Sequence, residues 1–479
     1  MNTNITKIED FSDFLSERKN EWKIPGMAVG IIKDNKILYA GELGLRDINK
    51  DLNVTKDTLF AIGSASKAFT SMAIGILVDE GKLNFDTPIK KYMPDFEMHN
   101  KYAEEHLTLR DMLCHRSGIP RHDLLWYNSL LSRKELVDKL KYLEFSKDFR
   151  ETWQYNNLMY SATGYLIESV TGLTWEEFVK AKIFKPLNMN TTNFSVNISK
   201  ESKDFSQPYA EEGDKIHQID FRNLDIIGPA GSINSNLTDM LKWLSLHLNK
   251  GKANGKQIIS EKTIMQLHFP QIPCQLMPWT LNEIQFSSYG LGWFIESYRG
   301  RKHINHGGNI DGFCSYVSFI PEEKLGVVIL SNLGNPFCTF PIAYSIYDKL
   351  LGYDYFDWSK KTKDEAAKMF KGTETNNEAV SKISKENSTP SHLLEEYEGL
   401  YENPGYGTVE IERKDNSLKL TYNNIEYKLS HKCYDIFTMI MMMSNEITIT
   451  FNYDNNGAIN SVSIPFEQSV QDIVFKKYK

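Results

Sequence analysis

No two of the five cysteines (Cys114, Cys274, Cys314, Cys338 and Cys433) form a C-x-x-C pair, and so odd and scattered a set excludes a disulfide framework or a zinc knuckle as the organising device. Buried or incidental thiols in a reducing compartment are the expectation. No stretch reaches the roughly 20 consecutive apolar residues that a membrane-spanning helix needs. Residues 1–22 alternate polar and short apolar pieces, with neither a continuous apolar core nor a small-residue cleavage site. The chain therefore reads as soluble and cytoplasmic, with no membrane span. Charge of one sign is scarce as well. A net charge of -7 over 479 residues offers no field for phosphate backbones or anionic lipid, so nucleic acid is excluded as the expected partner. No repeat of fixed period is present, which removes solenoids and propellers.

What is present is enough apolar and aromatic material, 41% and 12% of residues, to fill real cores. The length exceeds what one hydrophobic core serves, so a large domain plus a smaller one is expected. Residues 26–33 and 36–43 are short apolar runs separated by Asp34-Asn35, the pattern of a hairpin that opens a sheet. Residues 65–80 are helix-compatible and largely apolar, entered after Gly63-Ser64 and left at Gly81, which predicts a buried helix. Further helices are expected at 109–114, 134–143, 161–171, 175–183 and 238–248. Strands return over 289–330, with 313–320 and 325–330 pairing in the sheet of the opening hairpin. Strands at both ends of a helical middle define an α+β fold.

Between 357 and 390 the composition turns to Lys, Glu, Asn, Ser and Thr, which predicts a polar linker carrying at most a short helix near 364–370. After it, alternating segments at 408–412, 418–422, 427–429, 447–451 and 461–464 are punctuated by Asn423-Asn424 and Asn455-Asn456-Gly457. The expected division is a first domain over 1–356, the linker over 357–390, and a small antiparallel β-barrel over 391–479.

Ser64-Ala65-Ser66-Lys67 sets a hydroxyl and an amine three residues apart, where helix side chains share a face. A serine hydroxyl is a weak nucleophile until a base takes its proton, and a lysine does so only when its pKa is depressed. Spacing alone decides little, because Ser16 and Lys19 repeat it on a charged amphipathic stretch that reads as a solvated helix face. Tyr155-Asn156-Asn157 offers a phenol and a carboxamide that a loop could aim into one cleft. The similar Tyr401-Glu-Asn403, Tyr422-Asn-Asn424 and Tyr453-Asp-Asn455 read as turn chemistry in the barrel. His306-Gly307-Gly308 allows close approach to the backbone, and its imidazole could donate a hydrogen bond or carry charge.

With these motifs in this order, the chain resembles the serine β-lactamase and penicillin-binding-protein superfamily, in its class C-like branch of esterases, D-aminopeptidases and related peptidases. The resemblance spans roughly residues 22–347. It is carried by Ile24-Pro-Gly-Met-Ala-Val-Gly30, Phe60-Ala-Ile-Gly-Ser-Ala-Ser-Lys67 and Leu109-Arg-Asp-Met-Leu-Cys-His-Arg-Ser-Gly118. Trp153-Gln-Tyr-Asn-Asn157, Ser161-Ala-Thr-Gly-Tyr165, Pro229-Ala-Gly-Ser-Ile233, Tyr289-Gly-Leu-Gly-Trp293 and His306-Gly-Gly308 continue it. The resemblance implies a β-lactamase-like fold, with the last segment similar to the lipocalin-like barrel appended to some peptidase-like members. It implies Ser64 as the acylated nucleophile, Lys67 and Tyr155 as the proton-transfer pair, and Asn157 as a ligand to the substrate amide. The N–H groups of Ser64 and Asn309 would form the oxyanion hole, with His306, Gly307 and Gly308 on the opposite wall. No cofactor and no metal are implied.

The superfamily's β-lactamases usually carry Lys-Thr-Gly where this chain has His306-Gly307-Gly308, and a histidine is mostly neutral at pH 7. That departure favours a small-molecule or peptide substrate, an amide or ester such as a D-amino-acid-containing peptide, over β-lactams. A slow penicillin-binding sensor or scaffold and a true β-lactamase stand as alternatives, and the oligomeric state is unassigned. Trp126 and Tyr127 lie in a loop that the resemblance puts near the site mouth, either as a pocket wall or packed on their own loop. His115, Arg116 and Ser117 are expected to hold the turn before Gly118, and residues 403–407 either to form a plain hairpin at the barrel rim, the preferred reading, or to reach toward the cleft as the resemblance implies.

Overall fold

The computed structural model describes residues 8–275, 279, 281–381, 388–441 and 446–479. Strand Gly26–Lys33 is buried along nearly its whole length, because both of its faces are covered. Met27, Val29 and Ile31 point into one core and Ala28 and Ile32 into the other, as the two-residue period of a strand requires. Asp34 and Asn35 both take positive φ, 50 and 61, and turn the chain into Lys36–Asp47 as the sequence predicts. The strands Leu325–Ser331, Phe313–Ile320, Arg301–Ile310, Phe294–Tyr298 and Ile284–Tyr289 follow in antiparallel order on the other side of Gly26–Lys33, within a nine-stranded sheet.

Helices cover both faces of the sheet. On one side Phe11 and Leu15 of helix Ile8–Glu21 and Ile342 and Ile346 of helix Thr339–Leu351 share a core with Trp358. On the other, Leu237 and Leu241 of helix Leu237–Leu248 come so close that a β-carbon at Gly30 would stand 2.6 Å from Leu241 Cδ2. Helix Ser66–Asp79 is buried all round from Ser66 to Leu77, with Phe69 stacked on Trp243 at 3.8 Å. The Ser16 to Lys19 copy lies on helix Ile8–Glu21, where Phe11 and Leu15 are the buried ones among the described side chains.

Three expectations are corrected. The second-motif helix begins at Asn157, four residues earlier than expected, because Asn156 caps it by accepting from Met159 N–H at 2.9 Å. The stretch expected as a linker carries helix Trp358–Ser381. Its start is tied down by the Trp358 indole on Asp348 at 2.8 Å and by Ser359 receiving the Trp22 indole at 2.9 Å, anchors too sparse to show through the surrounding lysines and glutamates. Residues 382–387 of that stretch lie outside the described residues. Third, Tyr401 lies in a strand, Gly399–Asn403, while Asn403 at its end does the turn chemistry expected of it, accepting from Gly405 N–H at 2.8 Å and Tyr406 N–H at 3.0 Å.

The C-terminal segment is a closed, eight-stranded antiparallel barrel. Asn423 and Asn424 turn one of its hairpins with φ of 47 and 61. The rim is more than a set of plain hairpins: Tyr406 is buried and its OH meets His122 Nδ1 at 2.7 Å, while Pro404 O accepts from Lys139 Nζ at 2.8 Å. No helix among the described residues is long and apolar enough to cross a membrane.

Candidate active site

Ser64 sits in a short 3-10 turn, Gly63–Ala65, between strand Phe60–Ala61 and the buried helix. Gly63 has φ +50, and a β-carbon there would stand 2.9 Å from Asn309 N, so a glycine is needed for both the turn and the approach of the facing strand. One turn on, Lys67 Nζ lies 3.2 Å from Ser64 Oγ. The amine also donates to Asn157 Oδ1 at 2.7 Å and Ala230 O at 2.9 Å, which uses all three of its protons when charged. The Lys67 side chain is fully buried. Burial, and next the charge of Arg121, drives its pKa well below that of a free lysine, while Asp123 opposes the shift.

Tyr155 stands over this pair, its ring 4.6 Å from Lys67 Nζ and 4.4 Å from the His115 ring. Burial raises the phenol pKa, and its hydrogen bond with Ser64 pulls the other way. His115 accepts from Asn156 N–H at 3.1 Å through Nδ1, and Gln154 N–H reaches its carbonyl at 2.8 Å. Arg116 pairs with Asp111 at 2.6 Å. This turn is held as the sequence predicts, and it also supports Tyr155 from below.

Strand Arg301–Ile310 forms the opposite wall. Gly308 fits directly beneath Ile62, and Ser315 Oγ bonds Ile62 O at 2.8 Å, so the strand is pinned against the serine turn. Asn309 is exposed beside it. His306 departs from expectation. Its Nδ1 lies 2.7 Å from Gly307 O and its Nε2 2.9 Å from Tyr289 OH, so both ring nitrogens are engaged inside the protein. Only 2% of the residue is exposed, and burial followed by the Lys67 charge pushes its pKa down to about 3. The imidazole is therefore a neutral support rather than a donor or cation facing the cleft. His303, three residues earlier, points to the other face of the sheet and meets Glu296 at 3.1 Å, so the two histidines share no ligand position.

Trp126 and Tyr127 are both buried. The Trp126 indole bonds Asp123 Oδ1 at 2.8 Å within its own loop, whereas Tyr127 OH reaches across to Asp311 at 2.8 Å and receives Arg222 at 2.9 Å. Sequence reasoning missed two residues of this loop. The Arg121 guanidinium lies 5.2 Å from the Tyr155 ring centroid, and Asp123 accepts from Asn157 Nδ2 at 3.0 Å. The available signal was Arg121-His122-Asp123, three titratable residues in a row between Pro120 and an apolar run. A cavity of about 850 Å³ near Ile32, Leu237 and Lys252 includes none of these residues.

A serine and a buried lysine at the head of a helix, set against an antiparallel sheet, define the class: a serine hydrolase of the β-lactamase and penicillin-binding-protein superfamily. The chain belongs to the β-lactamase family, whose model, described as Beta-lactamase, matches residues 11–346. A second model, described as a domain of unknown function (DUF3471), matches residues 384–477. The chain is 26% identical to Unguisins hydrolase ungD' of Aspergillus campestris, over 97% of this chain and 90% of that protein. It is 25% identical to Protein flp of Staphylococcus aureus, over 66% of this chain and 60% of that one. Among solved structures, the octameric penicillin-binding protein homologue from Pyrococcus abyssi has the same fold. It aligns with a TM-score of 0.62 at 23% identity over 98% of this chain and 100% of the other.

Proposed function

We propose that the protein is a cofactor-free acyl hydrolase that opens an amide or ester bond through an acyl-enzyme on Ser64. The observation that carries this reading is a lysine deprived of water, its charged form disfavoured, 3.2 Å from the serine hydroxyl. Ser64 Oγ attacks the carbonyl carbon while its proton passes to Lys67. The tetrahedral oxyanion is held by the N–H groups of Ser64 and Asn309. As the intermediate collapses, the C–N or C–O bond breaks and the leaving atom takes a proton through Tyr155, whose raised pKa keeps it protonated and able to donate. Water then attacks the ester on Ser64 by the reverse route. Asn157 holds the substrate amide.

With His306 neutral and engaged by Tyr289, the third motif offers no cation for the carboxylate of a β-lactam. Peptides, including those with D-residues, and small esters are the favoured substrates, in keeping with the hydrolase names of the full-length relatives. The test is intact-mass spectrometry after treatment with a fluorophosphonate and, separately, with penicillin. A single adduct on the fluorophosphonate-treated protein, lost in Ser64→Ala, is expected. Failure of the wild type to label, or an adduct that survives Ser64→Ala, overturns the assignment, and a penicillin adduct that outlasts all turnover assigns a sensor instead.

A further inference from the structure

An asparagine amide can be placed either way round, and at Asn157 the choice matters, since only its oxygen can accept an N–H of Lys67 and leave the lone pair of the uncharged amine for Ser64. We propose that Asp123 is the positioning residue that makes this choice, holding Asn157 Nδ2 on its carboxylate so that Oδ1 faces Lys67. The proposal rests on the acyl-enzyme reading above. Asp123 Oδ1 accepts from Asn157 Nδ2 at 3.0 Å and from the Trp126 indole at 2.8 Å, and its Oδ2 accepts from Arg121 Nε at 2.5 Å. A carboxylate can only accept, so the Asn157 group facing it must be the NH₂. Asn157 Oδ1 is then left for Lys67 Nζ, 2.7 Å away. The run from Asp123 through Asn157 and Lys67 to Ser64 is an unbroken line of hydrogen bonds from this loop to the nucleophile.

Position and charge act together here. The groups that face Lys67 are Arg121 and Asp123 from the loop, Tyr155 beside it, Tyr160 from helix Asn157–Thr171, His115 from the turn and His306 from the sheet. Burial keeps both tyrosines and both histidines neutral, which leaves Arg121 and Asp123 as the charges in play. Glu467 of the barrel bears on Arg121 in turn. Lys67 works as a base only when uncharged, so labelling of Ser64 rises with pH through the lysine's titration. Loss of the Asp123 charge disfavours the lysine cation and moves that rise to lower pH; loss of the Arg121 charge moves it to higher pH.

The measurement is the rate of fluorophosphonate labelling of the full-length protein against pH, in wild type, Asp123→Asn and Arg121→Gln. In Asp123→Asn, where either orientation of Asn157 can be satisfied, the plateau rate should fall roughly 10- to 100-fold and the midpoint should drop by about one unit. Arg121→Gln, which leaves the bond from Asp123 to Asn157 in place, should raise the midpoint. A wild-type rate and midpoint in Asp123→Asn overturn the proposal, and so does a slower rate with the midpoint unmoved, the mark of a merely structural loop. Should Asp123→Asn fail to fold, Asp123→Ser decides by the same two readouts: a wild-type rate, or an unmoved midpoint, overturns the proposal. A wild type that does not label counts against the acyl-enzyme reading instead.

Discussion

At the scale of single residues, the two glycines of the third motif separate what the site needs from what it tolerates. A β-carbon at Gly308 would stand 1.8 Å from Ile62 O and 2.7 Å from Ser315 Oγ. The first of these is backbone and cannot swing aside. Gly308→Ala must therefore push strand Arg301–Ile310 away from the turn that carries Ser64, widening the gap in which the proposed oxyanion hole of Ser64 and Asn309 lies. At Gly307 the nearest atoms would be 3.6 and 3.7 Å away, an ordinary contact. Labelling of Ser64 by a fluorophosphonate should drop by roughly 100-fold or more in Gly308→Ala and stay near wild type in Gly307→Ala, with circular dichroism unchanged in both. Equal rates for the two variants would contradict this geometry. The sequence shows these glycines plainly, and it singles out Ser64 and Lys67 from the Ser16 and Lys19 copy through the apolar helix they enter and the motifs that follow them in order. It does not show that His306 is occupied. The Tyr289 hydroxyl that engages it is 17 residues away, on a strand that reaches it only once the sheet has formed.

At the scale of elements, the second motif is built on a helix cap. Asn156 accepts from Met159 N–H at the helix start and donates through Nδ2 to Pro120 O, so one side chain ends the loop bearing Tyr155, begins the helix bearing Asn157, and ties both to the loop of Arg121 and Asp123. Asn156→Ala should cost about 1–2 kcal/mol in denaturant unfolding, and it should slow Ser64 labelling more than that loss accounts for, since Tyr155 and Asn157 flank the cap. Unaltered labelling in a destabilised protein would limit Asn156 to the helix. The helix start is hard to see in the sequence because two asparagines after a tyrosine look like a turn, and an N-cap is itself a turn-former. For a related reason the barrel strands Gly399–Asn403, Ile436–Ile440 and Ile473–Lys477 were not anticipated. They are five residues each, and their pairing partners, not their own patterns, make them strands.

Across the whole molecule, the barrel rests on the same loop that lines the site. Asn423 Nδ2 donates to Leu124 O at 2.9 Å and Tyr127 O at 3.1 Å, and Asn423 O accepts from Asn128 Nδ2 at 2.7 Å. Glu467 accepts from His122 N–H at 2.9 Å, and Tyr406 OH meets the His122 ring. These contacts join residues 284 to 345 positions apart, a separation at which local sequence patterns carry no information. Read from sequence, Asn423 is a turn residue and nothing more, and that description is also true. Its backbone needs positive φ while its side chain reaches another domain, and the two demands can be separated. Asn423→Gly keeps the turn, because glycine adopts φ of 47 freely, and removes only the amide. If the barrel holds the loop of Arg121, Asp123 and Tyr127 in place, Asn423→Gly should retain the wild-type melting temperature to within a few degrees. Its Ser64 labelling should nonetheless slow by roughly 3- to 10-fold. A labelling rate and pH midpoint equal to wild type would mean that the loop keeps its shape unaided and that the barrel serves some purpose other than shaping the site.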